Sequence, residues 1–278
     1  MKAALYKTLN GFQNWIEGYT FEDKNILWFR RCCYSILLLK MLLIWPELTL
    51  FYEHVISQHS NLLLPHKWMF LSVFKNHYIY YWLISCFIVL YAVVSKSSQV
   101  LSILIFSISF NYFSLINGAT NNGDKILNVF IFMIIFLKYG TKFGSVRHMV
   151  NNAVLLILQF YICILYLYNF QGKILQPAWR DGSCFENVWN LPYFANPTLV
   201  PGFLVNQNFH FLTAWSVLLF ELAFPLFIWI KPLRKSLLII GILFHLGISL
   251  LLSIPDFGIT MIVGYILFYK FKNRNNYS

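Results

Sequence analysis

Apolar residues in this chain are gathered into long runs, and the runs have the length of membrane-crossing helices. Crossing the hydrocarbon core takes roughly 20 mostly apolar residues. Eight runs meet or approach that length, near 31–51, 77–95, 98–116, 125–139, 149–169, 210–230, 236–254 and 257–271. The fourth and eighth are short, as broken or half-buried helices would be. A different pattern opens the chain. Within 3–19, Leu5, Leu9, Phe12 and Ile16 recur at helical spacing, with Lys7, Asn10, Gln13 and Asn14 between them. That stripe predicts an amphipathic helix lying on a membrane surface. The expected fold is an all-α polytopic membrane protein, with about eight transmembrane helices plus an N-terminal interfacial amphipathic helix. The expected organisation is an interfacial helix and linker over 1–30, a transmembrane bundle over 31–271 and a cytoplasmic tail over 272–278. No internal repeat stands out.

Composition agrees with the pattern. Hydrophobic residues make up 59% of the 278 and charged residues 11%, where a soluble domain carries about 25% charged residues. The net charge of +11 does not point to nucleic acid, because the cations cluster at the ends of the apolar runs and form no aromatic-interleaved patch. They report orientation instead. With the N terminus inside, 15 of the 21 Lys and Arg fall on cytoplasmic segments and five outside, with Lys40 within a span. That bias predicts cytoplasmic termini and a cell-membrane location. No leader with a small-residue cleavage site is evident, so the first run is expected to be an uncleaved anchor. The five cysteines show no zinc-like spacing or disulfide framework, and only Cys184 lies in a long polar segment.

Candidate chemistry sits in two settings. Ionisable residues deep in a membrane are costly and are functional candidates by default. Lys40, Glu221 and His245 each lie about ten residues from a span end, or roughly 15 Å deep at 1.5 Å per residue. Glu221 and His245 fall on consecutive antiparallel runs, where they are expected to pair; the alternative role is a polar lock between helices. The outer segments form the second setting. The first carries His54, His59 and His66, whose spacing fits no tight metal motif. The second is the turn 117–124, with Asn121, Asn122 and Asp124. The third, 170–209, is long enough to be functional and includes Lys173, Trp179, Arg180 and Asp181. A lysine beside apolar surface loses its proton more readily and can act as a base, although Lys, Trp and Arg also collect at this depth as anchors.

Four segments in order resemble the HTTM family, the transmembrane domain shared with vitamin K-dependent gamma-carboxylases. They are Asn117-Gly118…Asn121-Asn122-Gly123-Asp124, Gly172-Lys173…Trp179-Arg180-Asp181-Gly182, Glu221-Leu222-Ala223-Phe224-Pro225-Leu226, and Phe244-His245…Ser253-Ile254-Pro255-Asp256-Phe257. Within that family the chain is most similar to the short bacterial members related to sporulation-delaying protein B. The resemblance implies a membrane factor that matures a secreted peptide toxin or antimicrobial peptide, beside a small companion protein of the sporulation-delaying protein A type. It also implies a lysine base, mapping to Lys173, and a reduced quinone as the cofactor to look for. The phenylalanine-rich helices by themselves read as lipid contact. Gly123 stands where a carboxylase-type histidine is expected, which argues against carboxylation proper.

The expected partners are therefore membrane lipid, a secreted precursor peptide and the companion protein. In this reading Lys173 is the base, Asn121, Asn122 and Asp124 orient polar groups, and Glu221 and His245 hold the bundle or pass protons. Two other readings stay open: a multi-pass transporter or export component, and a non-catalytic immunity or scaffold protein. No matched pair of broken helices favours transport.

Overall fold

The computed structural model describes residues 23–52, 77–96, 98–116, 119–142, 145–189, 191 and 199–269, and among these there is no strand. The amphipathic helix expected at 3–19, His54, His59 and His66, and the tail at 272–278 lie outside the described residues. Among the described residues, three helices are long and apolar enough to cross a membrane: Val146–Ile174, Phe209–Phe227 and Lys231–Leu251. A fourth crossing is formed if Asp23–Leu43 and Trp45–Tyr52, bent by 46° at their junction, act as one. Pro46 explains the bend, since its ring fixes φ and removes a backbone donor. Shorter apolar helices occupy Tyr78–Val94, Gln99–Leu115 and Pro255–Phe268. Eight full-length crossings are thus more than these helix lengths supply.

The chain divides into two compact units, the first running to Val154 and the second from Leu155 to Tyr269. In the first unit, α1 (Asp23–Leu43) packs on α2 (Tyr78–Val94) and on α4 (Asn122–Ile134), and α3 (Gln99–Leu115) packs on α2 and α4. The buried face of α1 carries Ile26, Phe29, Cys33, Leu37 and Met41, spaced three or four apart as one side of a helix requires. Phe29 meets Phe130 of α4 edge to face at 5.1 Å. Polar ties fix the register. Arg30 donates to the Ser95 carbonyl beyond α2 at 2.6 Å, and the Tyr34 hydroxyl donates to Ser102 of α3. Asn151 holds both the amide and the carbonyl of Lys138.

The second unit contains most of α5 (Val146–Ile174), then α6 (Pro177–Asp181), α7 (Ser183–Trp189), α8 (Gly202–Val205), α9 (Gln207–Phe227), α10 (Lys231–Leu251) and α11 (Pro255–Gly264). A 3-10 turn over Tyr265–Phe268 ends it. The segment expected as a loop at 170–209 is largely helical where it is described: α5 runs on to Ile174, and α6, α7 and α8 all pack on α9. The α6–α7 turn depends on Gly182, at φ 87°, where a Cβ would come within 2.5 Å of the Phe211 backbone. Only glycine combines that conformation with so close an approach. Ala214 and Val217 of α9 meet Phe185 of α7, with Trp179 and Trp189 against them. Gln159 of α5 donates to the Leu267 carbonyl at 2.6 Å.

Candidate active site

The inward face of α9 reads His210, Ala214, Val217, Glu221 and Phe224, all buried and spaced three or four apart. Glu221 is therefore a carboxylate at a core position, 3% exposed. A buried charge needs a partner, and α5 supplies it. Lys173, in the last turn of α5, places its ammonium 2.5 Å from Glu221 Oε1. The Lys173 side chain keeps 25% exposure, so the pair reaches the surface through the lysine. The Trp179 ring of α6 lies 4.6 Å from the ammonium, within cation–π range.

Seven residues before Lys173, two turns along the same face of α5 and roughly 10 Å away, stands Tyr166. Its hydroxyl lies 2.7 Å from His245 Nε2 on α10. It also contacts the hydroxyl of Tyr265, which follows α11. A Cβ on Gly241 would come within 2.5 Å of that Tyr265 hydroxyl, so the glycine one turn before His245 clears its place. Phe220, Phe224, Phe244 and Phe257 form an aromatic shell: Phe220 and Phe224 flank Tyr166, while Phe244 and Phe257 flank His245. Phe220, which precedes Glu221, packs on Tyr166 and on Phe244, which precedes His245. The two hydrogen-bonded groups thus form one constellation.

The expected pairing of Glu221 with His245 is corrected: each has another partner. Position on neighbouring helices brought them to one level, but α5 offers the stronger charge complement to Glu221 and a hydroxyl to His245. Lys40 is also paired, 2.7 Å from Asp124 Oδ1. Asp124 is the third residue of α4, and its Oδ2 accepts the Asn121 amide while Asn121 Oδ1 accepts the amides of Gly123 and Asp124. This reciprocal arrangement is a capping box. Asn122 opens α4 from an exposed position. Asn121 and Asp124 are thus held with Lys40 in the first unit, where Asn122 also lies, and Lys173, Glu221 and His245 belong to the second.

Tyr166 and Tyr265 were not singled out from the sequence. They are two of 17 tyrosines in apolar surroundings, and only the seven-residue spacing from Lys173 marked the first. Beside the site, Asp181 accepts the Ser183 amide at 2.9 Å, and that bond holds its carboxyl below the usual range. Burial pushes the Cys184 thiol up. The described residues contain no group of three or more metal-ligating side chains.

Fold and site together define an all-helical protein with several strongly apolar helices and a buried lysine–carboxylate pair beside a tyrosine–histidine chain. No protein-family profile, curated protein or solved structure matches this chain.

Proposed function

We propose that this chain is an integral membrane protein that uses Lys173 as a base in maturing a secreted peptide, with Glu221 as its proton partner. The observation that carries the reading is the Lys173–Glu221 pair: a lysine at a helix end, in contact with a buried carboxylate and covered by Trp179. In low dielectric a close ammonium–carboxylate pair and its neutral amine–acid form lie nearer in energy than in water. A proton can then pass from Lys173 to Glu221 as a precursor approaches, which leaves the free amine to act on it. His245, Tyr166 and Tyr265 brace the other side of the site.

The membrane setting is supported by the outward residues. Ile239, Ile240, Leu243, Leu246 and Leu250 of α10 are exposed, as are Phe87, Leu90, Tyr91 and Val94 of α2. Such continuous apolar surface suits lipid rather than water. In this reading the eight apolar runs, including the shorter helices and the N-terminal interfacial segment, are embedded in or on a cell membrane, with both termini cytoplasmic. The ordered resemblance to short HTTM proteins related to sporulation-delaying protein B supplies the peptide substrate, the companion protein and the reduced quinone. The Lys173–Glu221 contact supports the acid–base pair. The deciding experiment expresses the chain with its precursor and companion and compares wild type with Lys173→Ala. Toxin activity is expected to vanish while the amount of membrane-inserted protein stays normal. Full activity in the variant removes the lysine from the mechanism and favours the carrier or scaffold reading.

A further inference from the structure

Buried polar atoms are nearly always hydrogen-bonded, and each exception asks for a reason. This site has two. Glu221 gives Oε1 to Lys173, and its Oε2 has no hydrogen-bond partner among the described residues. His245, 1% exposed, engages Tyr166 through Nε2 and leaves Nδ1 without one. The two residues stand at one level on antiparallel neighbours, because Phe220 and Phe244, which immediately precede them, bring their rings within 5.0 Å.

The hydroxyl chain decides what His245 Nδ1 offers. Tyr166 touches both His245 Nε2 and the Tyr265 hydroxyl. If Tyr265 donates to Tyr166 and Tyr166 donates to Nε2, both hydroxyl protons are bonded and the ring proton resides on Nδ1. The reverse direction leaves the Tyr265 proton unbonded against Gly241 and so strands a second buried donor. The first arrangement satisfies more groups. Two buried atoms of the site are then left over, one donor, His245 Nδ1–H, and one acceptor, Glu221 Oε2. A carboxylate offers no donor and meets the like charge of Glu221, and an ammonium offers no acceptor. A secondary amide carries both an acceptor and a donor.

We infer that the site takes a peptide amide, its carbonyl accepting from His245 Nδ1–H and its N–H donating to Glu221 Oε2, with Tyr166 and Tyr265 as positioning residues that set the imidazole tautomer. This rests on the reading of Lys173–Glu221 as a site that meets a peptide, and it names the group recognised. The test uses the full chain in detergent micelles and two probes that differ only at the tested group, N-methyl-3-phenylpropanamide and methyl 3-phenylpropanoate, with binding followed by tryptophan fluorescence. The amide is expected to bind at least about tenfold more tightly than the ester, which lacks the N–H. The side-chain nitrogen of asparagine falls where Nδ1 lies and that of glutamine where Nε2 lies. His245→Asn should therefore keep the affinity for both probes and His245→Gln lower it for both, since both carry the carbonyl, and Tyr166→Phe should lower it by freeing the ring proton. Equal affinities for the two probes, no saturable binding of either at millimolar concentration, or an affinity kept by His245→Gln and lost by His245→Asn would overturn the inference. The probe ratio in wild type needs no variant to fold. An amide preference alongside a fully active Lys173→Ala would leave the amide site standing and remove the base; no preference alongside an essential Lys173 would do the reverse.

Discussion

Each unit holds one buried lysine–carboxylate pair, and the two are built to different ends. In the first, Lys40 meets Asp124 Oδ1 while Asp124 Oδ2 accepts the Asn121 amide, so both carboxylate oxygens are engaged and the acid also caps α4. In the second, Glu221 keeps one oxygen without a partner among the described residues, and its lysine is the more exposed, 25% against 14%. A saturated pair is a lock between α1 and α4. A pair with a spare acceptor, a reachable amine and a tyrosine–histidine chain beside it can receive something. What distinguishes them is the lone pairs left over, since charge and burial alone make them look alike.

The comparison breaks most sharply if both pairs are neutralised in shape-conserving fashion. Lys173→Met with Glu221→Gln should keep the fold and lose roughly 10²–10⁴-fold in maturation activity, the usual contribution of a positioned acid–base group. Lys40→Met with Asp124→Asn should leave activity per folded molecule near wild type, because replacing a buried pair by neutral side chains is often close to neutral for stability. Equal activity losses in the two double variants would end the distinction. Next in size, Lys40→Ala alone strands the Asp124 charge and should cost about 3–5 kcal/mol, read as a lower unfolding midpoint in micelles.

Smaller effects sharpen the picture. Gly241→Ala drives a methyl into the Tyr265 hydroxyl and should cost about 1–3 kcal/mol as overpacking, with loss of activity exceeding any loss of folded protein. Asn121→Ala removes the cap and should cost about 1 kcal/mol without touching activity in the folded fraction. Smallest is the response of Cys184. Because burial raises its thiol above the ordinary range, it holds less thiolate near neutrality than a free cysteine. Labelling by a membrane-impermeant maleimide in intact cells should be slow there and accelerate as pH rises. Labelling only after permeabilisation would put α7 on the cytoplasmic side and undo the proposed orientation.

Much of the helical layout was legible. The runs read at 77–95 and 98–116 became α2 and α3, with bounds at Tyr78–Val94 and Gln99–Leu115, because uninterrupted apolar sequence between polar breaks leaves a helix little choice. The helical packing of 177–189 was less so: it rests on Gly182 and on tryptophans meeting α9, contacts that no local pattern announces. In the site, Lys173, Glu221 and His245 were each visible as misplaced polar residues, yet their partners were not. Lys173 and Glu221 are 48 positions apart, and one tyrosine in an apolar helix resembles the next. Asn121 and Asp124 teach the opposite lesson. Their three-residue spacing is a capping-box pattern, so their structural role was legible from a local signal, beside the chemical role expected of them.

The inward side of α10 is narrow: Leu238, Gly241 and His245 are its buried residues. That geometry sets how freely this stretch of gene can drift. A saturation library across 238–250 should show periodic constraint, with outward positions accepting nearly any oily residue. The three inward ones should discriminate atom by atom, since one clears a hydroxyl and another carries an imidazole.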